Sequence, residues 1–164
     1  MADDTFRGRV IWITGAASGM GEATALRFAS HGATLLLADL RPEPLAKVVE
    51  ACNARGGKAE AVAGDLRDPA TARRVGALIA DTHGGRLDML VNCAGFNVPK
   101  RRWDELSSED ADAVMRTNLN ALFHTTLVAL PFMRARKKGM LVHIASTDGW
   151  RVGDRKSTRL NSSH

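Results

Sequence analysis

The apolar run Val10-Ile11-Trp12-Ile13 passes without a break into Thr14-Gly15-Ala16-Ala17-Ser18-Gly19-Met20-Gly21, and a helix-forming stretch follows. A strand that stops in a glycine-rich turn and opens a helix aims unpaired backbone N–H groups and the positive end of the helix dipole at one point. That arrangement suits a pyrophosphate. Gly15 permits a tight reversal, Gly19 lets a ligand come close to the backbone, and Gly21 lets the helix lie close on the strand. The spacing is G-x-x-x-G-x-G rather than the commoner G-x-G-x-x-G. Asp39 ends the next apolar run about twenty residues on, where a dinucleotide-binding unit places an acid on the adenosine ribose hydroxyls.

Beyond the turn, short apolar runs alternate with longer helical patterns, the signature of βαβ units and a parallel sheet. Strands are expected at 10–14, 34–38, 59–63, 89–92 and 140–145, each nearly all apolar, as for strands covered by helices on both faces. Helices are expected at 21–30, 44–54 and 70–82, with a long one starting after Leu106. Pro44 and Pro69 fit helix first turns, and Gly32, Gly56-Gly57 and Gly84-Gly85 fit left-handed helix ends. Ser107 or Ser108 can cap the long helix, with Glu109, Asp110 and Asp112 at its positive end. The expected fold is α/β, a doubly wound parallel sheet of Rossmann-like type, truncated after its fifth strand. Residues 1–153 would form one incomplete NAD-binding domain.

With 45% apolar residues in 164, the composition suits a soluble globular protein. No apolar run approaches the roughly 18 residues that span a bilayer. Met1-Ala2-Asp3-Asp4 is acidic where a signal peptide is basic, so a cytoplasmic location is expected, with no membrane partner. Cys52 and Cys93 are too few for a disulfide framework or a metal site, so both read as free thiols and no metal is expected. The formal charge of +5 raises nucleic acid as a partner, and two observations argue against it. Residues 154–164, Asp-Arg-Lys-Ser-Thr-Arg-Leu-Asn-Ser-Ser-His, are similar to the translation of a short-read sequencing adapter. They are expected to be an artefact or a disordered tail, and they hold three cations and one anion of that total. The remaining basic groups, Lys100-Arg101-Arg102 and Arg134, Arg136, Lys137 and Lys138, have only Trp103 as an aromatic neighbour and read as solvated surface.

The turn from Thr14 to Gly21 resembles, residue for residue, the Thr-Gly-x-x-x-Gly-x-Gly motif of the short-chain dehydrogenase/reductase family. The resemblance runs over residues 7–153, the N-terminal part of such an enzyme. It implies a parent oxidoreductase that moves a hydride between a nicotinamide cofactor and a small alcohol or carbonyl substrate, as a homo-oligomer, dimer or tetramer. It assigns Thr14, Gly15, Ser18, Gly19, Met20 and Gly21 to the cofactor turn, and Asp39 to the adenosine ribose. Asp65-Leu66 is similar to the family's Asp-hydrophobic pair at the adenine ring, although Asp65 read alone is a turn residue ahead of Pro69. Asn92-Cys93-Ala94-Gly95 resembles the Asn-Asn-Ala-Gly element with one change. There Asn92 would steady the sheet, Ala94 and Gly95 would leave room for the ribose and nicotinamide, and Cys93 would be a small core residue.

Two catalytic assignments follow from the same likeness. Asn118, in Thr117-Asn118-Leu119-Asn120-Ala121, is similar to the family's Asn-Leu-x-Gly segment with Ala121 in place of glycine, which implies a water-linked proton relay. Ser146, in Ile144-Ala145-Ser146-Thr147-Asp148-Gly149, resembles the Ile-x-Ser-x-x-Gly element and implies a hydroxyl on the substrate oxygen as charge develops there. Asp148 and Trp150 would either line the substrate side or pack.

The family's base is a tyrosine about a dozen residues beyond that serine, with a lysine four residues later to lower its pKa from about 10. This chain has no tyrosine, so it is expected to be inactive and the pair to belong to sequence beyond Gly153. Asp39 predicts NAD over NADP, because a carboxylate accepts from two hydroxyls and repels a 2′-phosphate, and Ser18 stands where NADP users often carry Arg or Lys. Arg41 opposes this, since its guanidinium can face a phosphate. Two alternatives stay open: a non-catalytic dinucleotide-binding module, and an NADP-dependent 3-oxoacyl-type keto-reductase.

Overall fold

The computed structural model describes residues 4–100 and 102–146. A short 3₁₀ turn, Asp4–Phe6, leads into five strands: β1 (Val10–Thr14), β2 (Thr34–Asp39), β3 (Lys58–Ala63), β4 (Met89–Asn92) and β5 (Met140–His143). Helices α1 (Gly19–Ala29), α2 (Pro42–Ala54) and α3 (Pro69–His83) link the first four strands. Between β4 and β5 the chain forms α4 (Ser108–Met115), a π turn (Arg116–Asn120) and α5 (Ala121–Ala135). All pairings are parallel, in the order β3-β2-β1-β4-β5. This is the expected doubly wound, Rossmann-like sheet.

Alternation along β1 builds two cores. Ile11 and Ile13 point to one face, where Leu35, Leu37 and Val91 join Ala25 and Ala29 of α1 and Leu45, Val48 and Cys52 of α2. Val10 and Trp12 point to the other, against Leu36 and Leu90, Ala72, Val75 and Ile79 of α3, and Ala129 and Met133 of α5. Successive strand side chains face opposite ways, so a strand buried on both sides must be apolar at every position. All five residues of β1 are buried.

Local chemistry sets the boundaries. Helix α2 starts at Pro42, two residues before the expected 44, with Pro44 still inside its first turn. Asp68 caps α3 by accepting from Ala70 N–H, and Gly84 ends it in the left-handed region at φ 57°. Ser107, not Ser108, caps α4, accepting from Asp110 N–H at 3.0 Å. Two expectations need correction. Strand β5 stops at His143 instead of reaching 145, although Ile144 N–H still donates to the Asn92 carbonyl at 3.1 Å. The single long helix is interrupted by the π turn, in which Ala121 N–H reaches back five residues to the Arg116 carbonyl. Asp148, Trp150 and residues 154–164 lie outside the described residues.

Candidate cofactor and active site

After β1 the chain builds β2 and β3 on one side, then returns to place β4 on the other. The connections therefore diverge at the carboxyl ends of β1 and β4, the switch point where open parallel sheets hold ligands. A cavity of about 600 Å³ opens there. Its floor is the glycine turn. Gly15 has φ +63°, and a Cβ on it would lie 2.8 Å from both Cα and N of Ala94, so the turn after β1 packs directly on the turn after β4. Thr14 locks the two together from below: it is fully buried, and its Oγ1 accepts from Cys93 N–H at 3.2 Å and Ala94 N–H at 3.1 Å. A Cβ on Gly21 would collide with the Gly15 carbonyl, so Gly21 serves contact between helix and turn, not between helix and strand as its spacing had implied. Gly19, at φ +57°, has open space around its Cα. Ser18 is the N-cap of α1, and the first helix carbonyl bond runs from Glu22 N–H to Ser18 O at 3.3 Å. The N–H groups ahead of Glu22 have no carbonyl one turn earlier, which leaves them for an anion.

Asp39 ends β2 on the cavity wall and is buried. Its Oδ2 accepts from Ala17 N–H at 3.0 Å, and its Oδ1 accepts from Arg41 N–H at 3.0 Å and Arg41 Nε at 3.2 Å. Burial alone would raise its pKa. The bonds from Arg41 and from Ala17 N–H outweigh that and hold the carboxyl below its ordinary value. A carboxylate offers about four acceptor positions, so with three filled one remains. The same guanidinium donates through Nη2 to Ser18 Oγ at 2.8 Å and so bridges Asp39 to the N-cap of α1. Ser18, expected at the cofactor turn, shares the cavity wall with Arg41.

From the loop after β3, Asp65, Leu66 and Arg67 line the same cavity. Arg67 occupies both Asp65 oxygens: its N–H and Nε reach Oδ1 at 2.9 and 3.0 Å, and its Nε and Nη2 reach Oδ2 at 2.8 and 2.7 Å. That side-chain pairing is the main reason the Asp65 carboxyl titrates below its ordinary value. Leu66 is buried and presents a fixed apolar surface.

The remaining predicted residues divide between cavity and support. Ala94, Gly95 and Met20 line the cavity, whereas Thr14, Gly19, Asn92, Asn118 and Ser146 are not among its lining residues. Asn92 is buried and central to a polar network: Oδ1 accepts from Thr125 Oγ1 at 2.9 Å and from Thr14 Oγ1 at 3.4 Å, and Nδ2 lies 3.1 Å from His143 Nδ1. Asn118 sits in the π turn and grips Phe96, accepting from its N–H and donating to its carbonyl, both at 2.9 Å. A π turn swings one residue out of helical register, a distortion common at functional sites. Ser146 stands three residues past the end of β5, the strand beside β4. Burial raises the pKa of both thiols, Cys52 to about 11, so neither is a thiolate at neutral pH. Sequence reasoning missed Arg67, His124, Thr125 and His143, because polar residues in a turn, on a helix face or at a strand end look solvated until the partner is known.

Among the described residues, no group of three or more His, Cys, Asp or Glu side chains stands ready to hold a metal, and no helix is long and apolar enough to cross a membrane. The chain is 39% identical over 149 residues to Oxidoreductase UcpA of Escherichia coli strain K12, covering 90% of this chain and 55% of that one. It is 34% identical over 142 residues to the 3-oxoacyl-[acyl-carrier-protein] reductase FabG of Thermotoga maritima, covering 87% of this chain and 57% of that one. The chain thus spans a little over half the length of these relatives. Among solved structures it superposes on NAD+-bound xylitol dehydrogenase with a TM-score of 0.83 at 28% identity, covering 89% of this chain and 56% of that one. It superposes on a metagenomic short-chain oxidoreductase in complex with NADP with a TM-score of 0.81 at 32% identity, covering 87% and 64%. The family model for short chain dehydrogenases matches residues 9–157. With that match running from the start of β1 past the last described residue, the chain belongs to the short chain dehydrogenase family.

Proposed function

We propose that this chain is the dinucleotide-binding part of an oxidoreductase that moves a hydride between NAD(H) and an alcohol or carbonyl compound. The observation that carries this reading is the contact of Gly15 with Ala94 under a cavity that also holds the Asp39 carboxylate. In this reading the N–H groups opening α1 hold the pyrophosphate, and the free acceptor position of Asp39 takes an adenosine ribose hydroxyl. A second hydroxyl bond requires the Arg41 Nε to give way. Leu66 flanks the adenine. Asp65, already occupied by Arg67, contributes less than its motif implies. Ala94 and Gly95 leave room for the nicotinamide ribose, and the bound nicotinamide supplies hydride transfer. Ser146 would bond the substrate oxygen, and Asn118 would serve a proton relay by holding the loop at Phe96.

Preference for NAD follows from charge and geometry. A 2′-phosphate would meet the ionised Asp39, and two of the Arg41 donors are already engaged, Nε by Asp39 and Nη2 by Ser18. Arg41 on the cavity wall is also what favours the second reading, an NADP-dependent 3-oxoacyl-type reductase. A third reading is a non-catalytic binding module, in which the family's tyrosine is lost altogether. Calorimetric titration decides between the first two: NAD+ should bind more than tenfold tighter than NADP+, a gap of about 1.4 kcal/mol or more. An equal or reversed preference would favour the second reading, and no binding of either would overturn the first. With NAD+ and an alcohol, this chain should produce no reduced nicotinamide.

A further inference from the structure

The π turn and α5 together grip three segments around the cavity. The π turn before α5 holds Phe96 through Asn118, and α5 itself holds Asn92 through Thr125. The residue beside Thr125 makes the third contact. His124 Nδ1 lies 2.9 Å from the carbonyl oxygen of Leu66, 58 residues away in sequence. A carbonyl only accepts, so Nδ1 carries the proton and donates.

Leu66 is the middle of the cavity-lining segment Gly64-Asp65-Leu66-Arg67. The ends of this segment are tied down: Gly64 N–H donates to the Asp39 carbonyl at 2.9 Å, Arg74 Nη2 to the Ala63 carbonyl at 2.7 Å, and Asp68 N–H to the Asp65 carbonyl at 3.1 Å. Within the turn from Asp65 to Asp68, the Leu66 carbonyl is met from across the molecule by a side chain that does not itself line the cavity. A half-buried carbonyl that loses its donor turns toward water, and the Leu66 side chain turns with it.

We propose that His124 is a positioning residue for the adenine-side wall: its Nδ1–H fixes the Leu66 carbonyl and so sets Leu66 against the base. This rests on the dinucleotide reading above. Helix α5 then couples the two halves of the cavity, since His124 and Thr125 reach the loop after β3 and the end of β4 from adjacent positions.

The test is calorimetric titration of the full chain with ADP-ribose, the half that carries adenine, with melting temperatures measured alongside. His124→Leu keeps bulk and removes the donor; it should weaken ADP-ribose binding about tenfold. His124→Asn places an amide N–H where Nδ1 stands and should restore affinity to within about threefold. A purely structural role predicts a lower melting temperature for His124→Leu with unchanged affinity, and that result would overturn the proposal. The wild-type chain gives a second reading that needs no variant. Nitrogen-15 spectra should show His124 protonated at Nδ1, and a proton confined to Nε2 would also overturn it. If the wild-type chain takes up no ADP-ribose, the cofactor reading itself falls and this assignment with it.

Discussion

Two buried carboxylates stand at opposite ends of the same sheet and make the same kinds of bond with different results. Asp88 sits at the amino ends of the central strands. Its Oδ2 accepts from Val10 N–H at 3.0 Å and Arg86 Nε at 2.7 Å, and its Oδ1 from Arg136 at 3.3 Å and Arg9 at 3.4 Å. All four acceptor positions of a carboxylate are then filled. Asp39, at the carboxyl ends, has one backbone donor from the glycine turn and one arginine, and keeps a position open beside a cavity. Asp88 ties the starts of β1, β4 and β5 together, its own carbonyl accepting from Met140 N–H at 3.0 Å. Saturation separates the two: a fully bonded buried acid is scaffold, whereas one with a free acceptor and a displaceable arginine can exchange partners with a ligand.

Removing each acid should break the resemblance between them. Asp88→Ala orphans Val10 N–H and three guanidiniums, and should lower unfolding free energy by about 3 kcal/mol. That is the low end for a buried ionic group, because Arg9, Arg86 and Arg136 reach water. Dinucleotide affinity of the folded fraction should not change. Asp39→Ala should cost about 1–2 kcal/mol of stability and bring NAD+ and NADP+ affinities to within about threefold of each other. Urea unfolding and calorimetry on both variants check this, and a shift in cofactor preference for Asp88→Ala would erase the distinction.

Acid sharpens the comparison further. Both carboxyls titrate below their ordinary value: burial raises each, and in each case hydrogen bonds outweigh it, from Arg41 and Ala17 N–H at Asp39 and from Arg86, Val10 N–H and Arg136 at Asp88. Their contribution is complete above the unfolded-state value of about 3.9 and disappears as pH falls through the lower folded values. Melting temperature should therefore drop steeply below about pH 4. Asp88→Asn should flatten that drop more than Asp39→Asn, and equal slopes would mean that the extra arginines add nothing. The smallest effect belongs to Ser18→Ala, which frees one arm of Arg41. Stability should move by less than about 0.5 kcal/mol, while NADP+ affinity rises a few-fold.

Most of the sheet was legible because a strand buried on both faces has to be apolar throughout, and β1 and β4 fall on their expected residues. The glycine turn was legible for a related reason: Gly15 has a φ and a backbone contact that exclude a side chain. What escaped was pairing across distance. Asp65 announces an acid, but nothing local says that Arg67 takes both of its oxygens. His124 and Thr125 resemble any polar pair on an amphipathic helix until Leu66 and Asn92 are brought to them by the fold. The π turn has no helix-breaking residue in Arg116–Asn120 and is recognisable only from the bond between Ala121 and Arg116.

The claim that the carboxyl end of the sheet is the ligand end, and the Asp88 end its scaffold, is tested most directly by backbone amide hydrogen exchange with and without NAD+. Slowed exchange is predicted at residues 15–21, 39–41, 64–67 and 93–96, with no change at residues 86–90. Protection centred on the Asp88 end, or none at the glycine turn under saturating NAD+, would contradict the account.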